Sequence, residues 1–271
     1  MRRHVLWGTV AMTVAMTVLG ASSAQAEGRG DIRVTKAVTN NGKSVIVGIS
    51  KTVTFPIKLT IKDNSGVKRL EHIDASSTGS TAGGPVEWMG TSCKKLSRTT
   101  SECTATMSIN PHSFPWYSDT NANVTAGEWA AWGNVQANDG DYWLFDRVAL
   151  FKFKRAATLT AAATRPNPFS HSKQVKVTGT LARADWEALK YRGYSGQSLK
   201  LQFRKTGAAS YTTVKTVRTN SAGKVAATVD ATSSGSWRWF YQGTAATMQV
   251  ASPGAAMSLA KPTLHAAPRL G

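Results

Sequence analysis

Acidic residues are scarce: 15 Asp and Glu stand against 33 Lys and Arg, for a formal charge of +18 over 271 residues. A surplus of that size favours polyanionic partners such as anionic cell-wall polymers, acidic polysaccharide or nucleic acid. It serves solubility equally well. The basic residues are dispersed along the chain, as at Lys200 and Arg204 or Lys215 and Arg218, and form no dense block. Generic electrostatics accounts for that spread better than a dedicated nucleic-acid site. Histidine is also sparse, with His72, His112, His171 and His265 after the first 26 residues. None of them neighbours a nucleophile elbow. The nearest approach to Gly-x-Ser-x-Gly, Gly193-Tyr194-Ser195-Gly196-Gln197, is broken by Gln197, and the expectation is a chain without enzymatic activity.

Long apolar runs are missing except at the start. Met1-Arg2-Arg3-His4 is basic, Val5 to Leu19 carries no charge, and Ala24-Gln25-Ala26 supplies small residues for cleavage. This is the pattern of a secretory signal peptide over residues 1–26. The run is shorter than the roughly 20 residues that cross a bilayer, so a released, extracellular protein without a membrane span is expected. Arg2-Arg3 leaves the general and twin-arginine export routes both open. Removal of residues 1–26 takes two arginines and leaves a balance of +16.

Cys93 and Cys103 are the whole thiol inventory. In an exported chain an even, closely spaced pair reads as a disulfide. A loop this short contributes about 2.5–3 kcal/mol by chain entropy. A metal-binding pair would need further cysteines or a neighbouring histidine.

What the sequence has in quantity is alternation. Val53, Phe55, Ile57, Leu59 and Ile61 share one parity, and Cys103, Ala105, Met107 and Ile109 another run. Such period-2 patterns describe half-buried strands. Pro56 cannot donate to a ladder, so one free edge is expected there. Ala75 to Gly90 is rich in Ser, Thr and Gly and reads as a loop or irregular edge. Tyr211 to Thr219 and Lys224 to Asp230 read as a hairpin through Asn220-Ser221-Ala222-Gly223. Helical character is confined to Ala182 to Gly196, around Ala184 to Leu189, which is too short to anchor a core and reads as a turn or one helical loop. Two runs match each other: Gly127-Glu128-Trp129-Ala130-Ala131-Trp132 and Gly235-Ser236-Trp237-Arg238-Trp239. Each places tryptophans behind a turn glycine, about a hundred residues into its half of the chain. Regular strands, turn signals and almost no helix predict an all-β chain of two tandem β-sandwiches. The expected boundaries are 27–155 and 156–251, with a loose tail over 252–271.

The second half resembles an immunoglobulin-like module of secreted actinomycete proteins. The residues that carry the likeness are Val177-Thr178-Gly179-Thr180-Leu181, Asp185-Trp186, Gly196-Gln197 before Leu199, Tyr211 to Val225, and Gly235-Ser236-Trp237-Arg238. The first half is similar to the partner domain that precedes such modules, through Val45 to Ser50, Asp63 to Gly66 and Gly127 to Trp129. The resemblance implies immunoglobulin-like or fibronectin-III-like sandwiches and a secreted life, and it carries over no catalytic residue.

Three constellations could carry function. Asn138, Asp139, Asp141 and Asp146 gather hard oxygen ligands around Gly140, a candidate calcium site to which Asp63 and Asn64 could contribute from another turn. A plain Asn/Asp/Gly turn has the same composition. Trp88, Trp116, Tyr117, Tyr142 and Trp143 fall in expected loops, where exposed rings can stack on sugars; rings that cover the ends of a core have the same signature. Glu128 beside Trp129 is the best isolated acid for an enzyme of unfamiliar type, if burial raises its pKa. The sequence therefore favours a secreted binding or adhesion protein whose partner is an anionic polymer, a glycan or an extracellular protein. An unfamiliar enzyme and a structural spacer or inhibitor are the alternatives.

Overall fold

Alternating parity becomes alternating burial. In a computed structural model of the chain, Phe55, Ile57, Leu59 and Ile61 are each at most 1% exposed, while the residues between them reach the surface. The structure describes residues 27–78, 86–114, 121–165 and 173–259. In the first half the strands are β1 (Gly28–Arg29), β2 (Arg33–Thr39), β3 (Val45–Val47), β4 (Val53–Lys62), β5 (Val67–Ser77), β6 (Val86–Lys95), β7 (Thr100–Ile109), β8 (Gly127–Ala137) and β9 (Tyr142–Arg155). They continue with β10 (Ala157–Leu159), β11 (Ala162–Thr164), β12 (Gln174–Asp185), β13 (Lys190–Gly193), β14 (Ser198–Lys205), β15 (Thr212–Arg218), β16 (Lys224–Asp230), β17 (Gly235–Tyr241), β18 (Val250–Ala251) and β19 (Ala255–Met257). The chain is all-β. Among the described residues no helix is long and apolar enough to cross a membrane.

One sheet runs β1-β9-β8-β5, and β3 joins β9 in the one parallel pairing between named strands. A second runs β2-β4-β7-β6. Their inner faces enclose a core built from Phe55, Leu59, Met107, Ile73, Trp129 and Phe153 with their neighbours. Each large apolar side chain fully withdrawn from water contributes about 1.5–3 kcal/mol. β2 ends opposite Ile57, so Pro56 has a partner only on the β7 side, the free edge its ring requires. Cys93 and Cys103 face each other across β6 and β7 and are disulfide-bonded, with Cα atoms 4.0 Å apart.

The remaining strands form two further sheets, β10-β12-β11 with β13 and β16 on β12, and β15-β14-β17-β18 with β19 on β17. A second core lies between them, from Val175, Val177 and Leu181 to Leu201, Trp237 and Trp239. Two expectations change here. β15 pairs with β14 and β16 with β12, so 211–230 is no hairpin. The turn at Asn220–Gly223 closes locally, with Asn220 Oδ1 accepting from Ala222 N and Lys224 N, and then carries the chain from one sheet to the other. Ala255–Met257, expected in the tail, pair with Gly235–Trp237 as β19. Their order comes from a vacant strand edge, which no periodicity in an Ala/Pro/Ser/Gly segment announces.

Trp186 does not pack with the core of its own half. It sits in the turn between β12 and β13 and is fully buried within the first core. Its ring lies parallel to Phe114 at 4.4 Å between centroids and 5.3 Å from Phe153. Its Nε1 donates to Gly48 O at 3.1 Å. Asp185 holds the turn in place: its Oδ1 accepts from Asn123 Nδ2, Glu187 N and Ala188 N, and its Oδ2 pairs with Arg192 at 2.7 Å. Arg155 completes the junction. Its Nε donates to Ala184 O at 2.6 Å, and its backbone bonds Ala246 and Met248. Burial, with Arg183 nearby, pushes its guanidinium down to about 10.

Truncation of Trp186 should therefore open a cavity in the first core. Trp186→Ala is expected to cost about 3–5 kcal/mol in urea unfolding, and a loss below about 1 kcal/mol would show that the ring is not a core element. The Asp185 carboxyl makes a pH-dependent prediction. Burial alone would raise its pKa, but the hydrogen bonds from Asn123 and the Ala188 and Glu187 amides, with Arg192, hold it below the usual carboxylate value. Its contribution is thus fully present above the unfolded pKa of about 3.9 and lost as pH falls through the lower folded value. The stability gap between wild type and Asp185→Asn should be constant near neutrality and shrink in acid.

Candidate functional site

β5 and β6 are the adjoining edge strands of the two sheets of the first half. A trio of rings spans that edge. The His72 ring on β5 stands 5.2 Å from Trp132 on β8 and 5.9 Å, edge-on, from Trp88 on β6. Both tryptophans are 38% exposed. Four register shifts around the rings aim them outward. A register shift between Trp88 and Gly90 offsets β6, one between Leu70 and His72 offsets β5, and two flank Ala131 on β8. Each bulge re-aims a side chain that a regular ladder would direct elsewhere. Trp88 Nε1 donates to Thr91 Oγ1 at 3.0 Å, which fixes the indole plane. Gly133 lets β5 approach: a Cβ at that position would lie 2.2 Å from His72 O.

Polar groups flank the rings. Asp74 lies opposite Trp132 and Asn134 opposite His72. Burial raises the Asp74 pKa, opposed by the Ala75 amide and by His72. Asn134 Nδ2 donates to Glu71 Oε2 at 3.2 Å, while Asn134 Oδ1 accepts nothing. Glu71 is also paired with Arg69 at 2.6 Å. Two planar faces with amide and carboxylate groups beside them can stack on a ring and bond its hydroxyls.

The aromatic residues expected in loops are distributed differently. Trp116 and Tyr117 lie outside the described residues. Tyr142 and Trp143 are in β9, where Trp143 is half-buried against the first core with the Arg33 guanidinium 5.8 Å from its ring. Trp88 lies in a strand and joins the edge site. Trp132 and His72 were missed. The odd spacing between Trp129 and Trp132 is the available signal, because it sends the two rings to opposite faces. Trp129 is fully buried.

The other candidate groups also move. Glu128 is exposed and paired with Lys152 Nζ at 2.7 Å. The hydrogen bond and charge of Lys152 hold its carboxyl below its ordinary value, opposite to the shift an acid catalyst needs. Of the loop acids, Asp139 Oδ1 accepts from Asp141 N, Asn138 Nδ2 donates to Ser65 O, and Asp146 stands exposed on β9. The carboxylates that meet are Asp31, Asp63 and Asp141, whose ligand atoms all lie within 4.8 Å of one another.

No protein-family model and no curated protein matches the chain. Among solved structures, the "D00-D0 domain of Intimin" is similar at 10% sequence identity, covering 81% of this chain and 98% of that one, with a TM-score of 0.27. A superposition that loose leaves function to be read from this chain's own residues.

The approach of β5 to β8 is open to test. Gly133→Ala should destabilise the protein by about 1–3 kcal/mol through backbone displacement and part the His72 and Trp132 rings, seen as a change in the near-ultraviolet circular dichroism. An unperturbed variant would show that glycine is not required there.

Proposed function

We propose that this is a secreted, non-enzymatic binding protein that takes glycan at the Trp88–His72–Trp132 edge. The observation that carries the reading is the pair of half-exposed indoles, brought from two different sheets onto one histidine ring. Solvent-facing aromatics on a rigid strand framework present flat apolar area at little entropic cost. Asp74, Glu71 and Asn134 offer acceptors and a donor for hydroxyl groups. The leader pattern in residues 1–26 and the Cys93–Cys103 disulfide support an extracellular location. The lowered Glu128 carboxyl argues against its use as a general acid. The strong positive charge favours a second contribution, long-range attraction to anionic polymers.

Retention on insoluble polysaccharides and isolated cell-wall fragments separates these contributions. Stacking should survive about 1 M salt, where charge interactions are screened within about 3 Å. Trp88→Ala and Trp132→Ala should each weaken retention about tenfold, equivalent to about 1.4 kcal/mol. Retention that vanishes in salt and ignores both substitutions would replace the glycan reading with an electrostatic one. Absence of retention on every polymer would leave a spacer or inhibitor. Turnover of a glycan abolished by Glu128→Gln would establish an enzyme instead.

A further inference from the structure

The geometry points to a calcium site formed by Asp31, Asp63 and Asp141, clamping the two sheets of the first half together. Asp31 lies between β1 and β2, the point where the chain passes from one sheet to the other. Asp63 follows β4 in the second sheet, and Asp141 precedes β9 in the first. Pairing of β1 with β9 and of β2 with β4 converges these three positions at one end of the molecule.

The cluster is more than an acidic surface patch, because Asp63 is 1% exposed. Its Oδ1 accepts from Ser65 N at 2.7 Å and Ser65 Oγ at 2.6 Å. Its Oδ2 is buried and has no hydrogen-bond partner. A buried carboxylate oxygen left unpaired is strongly disfavoured unless a cation meets it. Asp31 and Asp141 set two more carboxylates against it, and neither forms an ion pair among the described residues. The nearby Arg33 forms no ion pair with them among the described residues; its Nη1 donates to the Gly30 and Ile32 carbonyls.

The backbone is shaped around this arrangement. Asp31 N donates to Asp141 Oδ2 at 2.9 Å. Gly30 has a φ of 81°, and a Cβ there would lie 1.5 Å from Asp141 Oδ2. A side chain at residue 30 would therefore expel the Asp141 carboxylate from the cluster. Calcium binds oxygen at about 2.3–2.6 Å, so two ligands on opposite sides of the ion stand about 4.6–5.2 Å apart. A cluster whose ligand atoms all lie within 4.8 Å of one another meets that limit as it stands. Magnesium, at about 2.0–2.1 Å, sets a tighter limit of about 4.0–4.2 Å on opposed ligands. Asp31 is exposed and Asp141 half-buried, which leaves a path for the ion and room for water ligands.

The test is thermal unfolding of the purified protein in calcium chloride and in EGTA, with calorimetric titration of calcium. A site of about 0.1–1 mM affinity should raise the midpoint by roughly 3–6 °C at about 5 mM calcium, with a smaller rise in magnesium. Asp141→Asn and Asp31→Asn, both at accessible positions, should abolish the rise. Because each removes a like charge, both should also melt above wild type in EGTA. Asp139→Asn should retain the full calcium response. An unchanged wild-type midpoint with no heat of binding would overturn the site, as would a calcium response preserved in both Asp141→Asn and Asp31→Asn.

Discussion

Withdrawal of Trp186 from water is the constraint to which the two halves of the chain answer jointly. The indole leaves its own strand pair and completes an aromatic group with Phe114, Phe153 and Trp129, in which Phe153 touches the other three rings. Planar rings at these separations combine area burial with favourable quadrupole geometry. The cost is a polar one. Arg155 is carried into the interior beside the ring, and its charge is tolerated because Ala184 O accepts from it and Asp185 lies close. The link between β9 and β10 is thus a packed joint, with hydrogen bonds to 246–248 on its far side.

Both candidate sites follow from how the first half closes. A five-stranded and a four-stranded sheet packed face to face leave open edges and open ends. At the β5–β6 edge the rings of His72, Trp88 and Trp132 lie where neither sheet can cover the other. At one end the crossing from β1 to β2 draws Asp31 toward Asp63 and Asp141. Unpaired strand edges invite association with other chains, and the bulges at this edge both interrupt its ladder and display the rings. The carboxylate cluster also stands out against the strongly basic overall charge, because among the described residues no Lys or Arg forms an ion pair with these three acids. The proposed attraction to anions and the proposed cation site would therefore occupy different places on one molecule.

Much of the architecture was readable in one dimension. Strict alternation over 53–61 and 103–109 identified strands, the residues they bury and the free edge at Pro56, because a pleated backbone repeats every two residues. The cysteine pair was readable because nine residues between two cysteines allow a short antiparallel turn. The hairpin at 211–230 was misread for a physical reason. A tight Asn-Ser-Ala-Gly turn specifies a reversal of direction, not the sheet into which the returning strand inserts. Trp186 was read as part of a local turn, which it is, and nothing in its neighbours signals that it is buried by residues more than thirty positions away.

The sites divide in the same way. Composition alone marked Asp141, Asp63 and Trp88 as residue types able to bind a cation or a sugar. It grouped them by nearness along the chain, Asn138, Asp139 and Asp146 with Asp141 and Trp143 with Tyr142. Only the folded structure sets Asp31 against Asp141 across 110 positions, and His72 between two indoles from different sheets. The reason is that local sequence determines which way each side chain points along its strand, whereas sheet pairing and register decide which strands become neighbours. Those depend on burying the whole core at once.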